Sequence, residues 1–262
     1  KGTTDSINLI ANGFRCLLNK GDEVVVSELE HHSNIVPWQL CCEYSGATLK
    51  VVPLKNNGEL DMNVFEDLLS KNTKIVAVSH VSNTLGTINP IKDIIKKSHQ
   101  VDAKVLVDGA QAASHITLNM QDLDADFYCF SAHKMYGPTG VGVLYAKENI
   151  LNELPPYQGG GEMIKEVSFN GTSFADLPYK FEAGTPNIAG IIAFKTAIDF
   201  ICELGLENIS KHEKKLLKHA TSEILKIDGV KIYGTSKNKS GIISFNIDGI
   251  HHYDIGILLD KM

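Results

Sequence analysis

DADFYCFSAHKMYGPTG, residues 124–140, decides the fold. Within it Phe127-Tyr128-Cys129-Phe130 is an apolar segment of strand length that runs directly into Ser131, His133 and Lys134. Gly137-Pro138-Thr139-Gly140 then turns the chain. A continuous apolar strand is buried on both faces, as in a parallel sheet covered by helices. In such sheets ligands collect beyond the carboxyl ends of the strands. A lysine placed there is either a solvated surface group, as most lysines are, or an amine in a partly desolvated crevice and a better nucleophile toward an aldehyde. Ser131 and His133, in the same loop, are suited to hydrogen-bond a phosphate.

The same pattern recurs outward along the chain. Short apolar strands are expected at residues 23–27, 48–53, 74–79, 104–107, 126–130 and 141–146, separated by helices at 33–44, 61–69 and 91–99. A further helix begins at Thr4 as its cap and carries Ile7, Ile10, Phe14 and Leu17 at helical spacing. Gly46 and Asp61 read as a helix stop and a helix cap. This alternation is an α/β fold with a mostly parallel sheet covered by helices. Residues 151–187 are loop-rich, and helices follow at 188–204 and 210–227. Strands at 230–233 and 241–247 suggest the start of a small α+β domain. The expected division is 1–190, a large ligand-binding domain, and 191–262, a linking helix with the start of the small domain. The chain opens inside a motif and stops inside an amphipathic pattern at 255–262, so both domains are expected to be incomplete at their outer ends.

The 262 residues carry a net charge of −6 with the two signs mixed, which gives no basis for a nucleic-acid or anionic-membrane partner. No apolar run is long enough to span a bilayer. Cys16, Cys41, Cys42, Cys129 and Cys202 are odd in number and lack framework spacing, the mark of reduced, mostly buried thiols in a cytoplasmic protein.

Four strand ends carry polar groups toward one crevice. In KVLVDGAQ, residues 104–111, Asp108 ends a buried strand. It is either a cap for the next turn or an anion that keeps a ligand's pyridinium nitrogen protonated. His31, in ELEHHSNIVPW (28–38), follows another strand and can stack on an aromatic ligand. Alternatively the His31-His32 pair is satisfied locally or forms half of a metal site, although no cluster at ligand spacing accompanies it. Asn83, in HVSNTLGTINP (80–90), adds an amide at a third end. Gly2-Thr3-Thr4, at a helix start, combines hydroxyls with free N–H groups, either an anion site or a simple cap.

These segments together resemble the SufS-type cysteine desulfurases of the class V aminotransferase family, which are pyridoxal-phosphate (PLP) enzymes of fold type I. The likeness also takes in GTTDSINLIA (2–11), GGGEMI (159–164) and FEAGTPN (181–187). The resemblance implies that Lys134 forms the Schiff base with pyridoxal 5'-phosphate and later shuttles protons. Asp108 pairs with the pyridine nitrogen, Gln111 bonds the phenolic oxygen, and His31 stacks on the ring. Thr3, Thr4, Ser131 and His133 hold the phosphate, Thr185 reaches the phosphate of the neighbouring subunit in a homodimer, and Asn83 lies near the substrate. No metal is implied.

The implied reaction converts L-cysteine to L-alanine and leaves a protein persulfide, whose sulfur goes to an acceptor protein of iron–sulfur cluster assembly. L-Selenocysteine is an alternative substrate, and another class V aminotransferase or lyase an alternative enzyme. The family's acceptor cysteine and carboxylate-binding arginine match no residue here; Arg15, the sole arginine, is on the first helix. The 262 residues alone are therefore expected to bind PLP weakly and not to desulfurate cysteine. A module that only dimerises or docks is the remaining reading. A dinucleotide-binding fold is disfavoured, because Gly159-Gly160-Gly161 neither follows a strand nor opens a helix.

Overall fold

A computed structural model describes all 262 residues. In chain order the elements are α1 (Thr3–Arg15), β1 (Glu23–Ser27), α2 (Val36–Ser45), β2 (Thr48–Val52), α3 (Met62–Leu68) and β3 (Thr73–Ser79). There follow α4 (Ile91–His99), β4 (Lys104–Asp108), α5 (Met120–Leu123), β5 (Phe127–Ser131), β6 (Gly142–Ala146) and α6 (Glu148–Glu153). The remainder is β7 (Ile164–Ser168), β8 (Gly171–Phe174), α7 (Ile188–Leu204), α8 (Leu206–Ile224), β9 (Val230–Tyr233), β10 (Ser244–Ile247) and α9 (His252–Lys261).

The main sheet runs β2-β1-β3-β4-β5-β6. Its first five strands are parallel and β6 is antiparallel to β5. Period-two alternation splits each strand between two cores. Val24, Val26, Ile75, Ala77, Leu106 and Phe127 face Ile7, Ile10 and Phe14 of α1 and Trp38 of α2. Val25, Val76, Val78, Val105 and Val107 face Phe65 of α3 and Ile91, Ile94 and Ile95 of α4. Each such side chain stabilises the fold by about 1.5–3 kcal/mol on burial, so both faces must be covered. That double burial is why the strands read as unbroken apolar runs.

The departures from the sequence reading have local causes. α1 starts at Thr3 with Gly2 at the cap position, which has no side chain to cap with, so Thr4, expected as the cap, lies inside the first turn, and the Thr3 hydroxyl is bonded to Ser131. The helix expected at 33–44 is broken into a 3-10 turn, His32–Asn34, and α2 from Val36. His31 caps the turn by accepting from Ser33 N, and Pro37, lacking an N–H, suits only the first turn of α2. Gly46 ends α2 at φ 74°, where a Cβ would be strained, and Asp61 caps α3 as expected. The turn at residues 137–140 reverses the chain, so β6 joins the sheet antiparallel. The segment 151–187 contains an exposed hairpin of β7 and β8 rather than loop alone. α8 spans Leu206–Ile224, earlier at both ends than the 210–227 expected.

β9 and β10 pair antiparallel beyond the main sheet. They are tied to it by a bridge between Thr87 and Lys239 and by Ser236 Oγ donating to Glu59 Oε1 at 2.8 Å. No helix is long and apolar enough to cross a membrane.

Candidate active site

Parallel register brings the functional positions together. Ser79 at the end of β3 pairs with Asp108 at the end of β4, and Asp108 with Cys129 in β5. The residues that follow β1, β3, β4 and β5 therefore open on one edge of the sheet. There they enclose a cavity of about 220 Å³. Its walls include nine of the ten residues expected from sequence: Thr3, Thr4, His31, Asn83, Asp108, Gln111, Ser131, His133 and Lys134. Thr185 is not among them; it is exposed in the loop before α7.

Asp108 is 5% exposed. Its Oδ1 accepts from Ala110 N at 2.9 Å, and its second oxygen has no hydrogen-bond partner in the chain. Burial pushes its carboxyl above the ordinary aspartate range, opposed by the Ala110 N–H and by the charges of Lys134 and His31. The turn that makes this possible requires glycine, since a Cβ on Gly109 would lie 2.1 Å from the Tyr128 ring. Tyr128 is itself held by His80 Nδ1 at 3.0 Å. A buried carboxyl with one free oxygen fits a cationic N–H donor on a ligand.

Lys134 ends the 3-10 turn Ala132–Lys134 and is half-buried. Its amine makes no ion pair or hydrogen bond within the chain, which leaves it available to the cavity. His31 accepts from Ser33 N through Nδ1 at 3.1 Å, so the hydrogen of the neutral ring sits on Nε2. The Ser33 hydroxyl lies 2.8 Å from the same nitrogen.

Ser131 anchors the start of α1. Thr3 N donates to Ser131 Oγ at 2.8 Å, and Thr3 Oγ1 shares a second hydrogen bond with it at 2.8 Å. This seat also requires glycine, because a Cβ on Gly142 would lie 2.4 Å from Gly2 Cα. Thr3 is buried against Ser131, whereas Thr4 is exposed.

Sequence reading missed Ser33 and Ser79 as lining residues, and Glu30 beneath them. Glu30 is 7% exposed, and burial pushes its carboxyl up to about 7. The signal available was its place, three residues after β1 and directly before His31. No cysteine lines the cavity; Cys41, Cys42 and Cys129 are buried, and Cys16 and Cys202 are exposed. Arg15 lies over the Tyr44 ring at 3.6 Å, away from the site.

The whole chain, residues 1–262, matches the family described as Aminotransferase class-V. It is 50% identical over 263 residues to a cysteine desulfurase of Enterobacter sp. (strain 638), covering 100% of this chain and 64% of that protein. The chain thus spans slightly less than two thirds of the length of the curated relatives it matches. The cysteine desulfurase CsdA of Escherichia coli superposes with a TM-score of 0.95 at 37% identity, over 99% of this chain and 65% of that one. An apo cysteine desulfurase of Thermococcus onnurineus NA1 gives a TM-score of 0.95 at 38% identity, over 100% of this chain and 66% of that one.

Proposed function

We propose, from the premise that the chain belongs to the class-V aminotransferase family of PLP-dependent fold-type-I enzymes, that it is the cofactor-binding part of a cysteine desulfurase. The observation that carries this reading is the convergence of the unpaired Asp108 carboxyl oxygen and the unpaired Lys134 amine on one cavity. The desulfurase relatives at 50% and 49% identity support the reaction class.

PLP supplies an electron sink that stabilises negative charge at the substrate Cα when it is bound. The chain's residues then have distinct tasks. Lys134 Nζ would hold the cofactor covalently and would be the base for the Cα proton. Asp108, as an anion, keeps the ring nitrogen protonated. His31 stacks on the ring, and its fixed tautomer presents Nε2–H as a donor. Gln111 donates to the phenolic oxygen, and Asn83 adds an amide on the substrate side. Thr4, Ser131 and His133 hold the phosphate. Thr3 contributes mainly by fixing Ser131, since their hydroxyls are bonded to each other. Thr185 serves the site of the other subunit in a homodimer, consistent with its exposed position.

In the net reaction the Cβ–S bond of L-cysteine breaks and an S–S bond forms on a protein thiol, leaving alanine and a persulfide. No thiol of these 262 residues lines the cavity, so this reading places the sulfur-accepting cysteine, and the arginine for the substrate carboxylate, elsewhere in the protein. The 262 residues alone should then be inactive. L-Selenocysteine is a chemically equivalent substrate. EHHSNIVPW with FSAHKMYGPTG supports the SufS type, and hence a cytoplasmic enzyme that passes sulfur to an acceptor protein of iron–sulfur assembly. We place the domain division near residue 190, where α7 begins.

The test is to purify the protein at its full natural length, add PLP and record the yellow absorbance. Borohydride reduction and peptide mapping follow, with alanine release from cysteine as the activity. The expected result is colour, a reduced adduct on Lys134, and loss of both in Lys134→Ala. A colourless wild type, or an adduct on another lysine, refutes the assignment.

A further inference from the structure

We infer that Glu30 is a positioning residue for the cofactor site, a strut that fixes the His31 turn onto the carboxyl ends of β1 and β3; this rests on the proposed stacking role of His31. Glu30 does not line the cavity. Its carboxyl is instead the meeting point of three elements. Oε1 accepts from the Ser27 hydroxyl at the end of β1, 2.5 Å away. The same oxygen accepts from Ser79 N at 3.0 Å and lies 3.4 Å from Ser79 Oγ, at the end of β3. Oε2 accepts from Asn34 Nδ2 at 2.6 Å, in the 3-10 turn that follows His31. Asn34 passes the constraint on, because its Oδ1 accepts from Trp38 Nε1 at 3.0 Å and Trp38 is fully buried in the core.

The chemistry of this junction calls for a carboxyl. Its partners are all donors or hydroxyls, and they address both oxygens. An amide at position 30 would keep Oε1 as an acceptor but turn an N–H toward Asn34 Nδ2. Rotating Asn34 to relieve that clash would face its own N–H against Trp38 Nε1. The buried Glu30–Asn34–Trp38 arm therefore has one arrangement, which leaves the His31 turn no freedom to shift. His31 and Ser33 of this turn line the cavity, as does Ser79 at the end of β3, so a single buried group bonded to both elements sets their spacing. The rise of the Glu30 carboxyl to about 7 is a consequence of the same burial.

The test compares wild type, Glu30→Gln and the double variant Glu30→Gln/Asn34→Asp, each at full natural length. In the double variant the carboxylate introduced at position 34 can accept from both the amide at position 30 and Trp38 Nε1, so the arm is rebuilt with its carboxyl moved. Three quantities are read: the melting temperature without PLP, the Kd for PLP, and the visible circular dichroism per bound PLP. We expect Glu30→Gln to weaken PLP binding about tenfold, or about 1.4 kcal/mol, with altered dichroism, and the double variant to recover both to within about threefold. A merely structural role would lower the melting temperature and leave dichroism per bound PLP unchanged. Wild-type affinity and dichroism in Glu30→Gln overturn the inference, as does a folded double variant that binds no better than the single one. If Glu30→Gln does not fold, Ser27→Ala removes one arm of the strut; altered dichroism with weaker binding then supports it and unchanged values overturn it. Wild type that fails to bind PLP through Lys134 would refute the site assignment itself, a separate outcome.

Discussion

Asp108→Asn should move cofactor affinity and cofactor-free stability in opposite directions. Asparagine has the same shape and keeps an oxygen for Ala110 N, the one hydrogen bond the carboxyl makes. It removes a charge that is 5% exposed and whose second oxygen is unpartnered. In the cofactor-free protein that burial outweighs the help from Ala110, Lys134 and His31, as the upward shift of the carboxyl shows. Relief of such a site is worth about 1–2 kcal/mol. For a chain of this size that is an increase of roughly 2–8 °C in melting temperature. With PLP the balance reverses, because the substitution breaks a buried charge pair at a cost of about 3–5 kcal/mol. The Kd should rise by about two to four orders of magnitude.

The sign of the pH dependence follows from the same shift. The folded protein holds the Asp108 proton more tightly than the unfolded chain, so its contribution to stability falls as pH rises from the ordinary aspartate range through the raised value. The stability gap between variant and wild type should be widest above the raised value and should close below the ordinary aspartate range, about pH 4. Differential scanning fluorimetry without PLP and an absorbance titration with it measure both effects. A variant that melts lower than wild type, or binds PLP within threefold of it, refutes the reasoning.

Gly142→Ala would set a Cβ 2.4 Å from Gly2 Cα, backbone against backbone. Displacing α1 and losing the two Thr3–Ser131 bonds should cost about 2–4 kcal/mol by urea unfolding and weaken phosphate holding; an unchanged midpoint would contradict it. Asp126→Ala leaves Val105 N without its 2.7 Å acceptor and releases His99 and Lys147. It should cost about 3 kcal/mol while leaving the Kd for PLP within about threefold, because Asp126 precedes β5 at the far end of the sheet. The carboxyl of Glu30, raised to about 7, gives wild type a loss of stability between about pH 4.5 and 7 that should be missing from Glu30→Gln. A thiol reagent should titrate Cys16 and Cys202 in the native protein and all five cysteines only on unfolding, since burial pushes Cys41 up to about 12 and seals Cys129; rapid native labelling of Cys129 would disprove the packing.

What was legible in the sequence was whatever depends on short-range pattern. Doubly buried strands appear as apolar runs wherever they fall, so β1, β3, β4 and β5 were recoverable to within a residue. A polar residue at the end of such a run projects from the sheet edge, and Asp108, His31 and Lys134 stood out for that reason. Pairing direction is different, because the apolar strand 142–146 carries no mark of being antiparallel; the turn before it decides that. Thr3 illustrates the same limit. A threonine at a helix start has two uses for its hydroxyl, and only the partner, Ser131, 128 residues away, selects one. Glu30 was passed over because a glutamate between Leu29 and His31 looks like surface, and only the convergence of β1, β3 and the 3-10 turn buries it.

The reversal of β6 has a consequence for the site that parallel strands alone would not provide. Pairing antiparallel to β5 sets Gly142 opposite Ser131, at the edge where the Lys134 turn begins. A parallel β6 would need a crossover and would bring its other end to this edge. The connection through residues 132–141 instead brings a glycine next to Ser131, and the space left by its missing side chain is filled by the backbone of Gly2. The first turn of α1, with its free N–H groups, is thereby fixed next to the lysine turn. Lys134 and the end of α1 proposed to hold the phosphate are thus held by the same pair of strands. A shift in one should be felt by the other, which is why Gly142→Ala is expected to weaken cofactor binding without altering any residue that touches PLP.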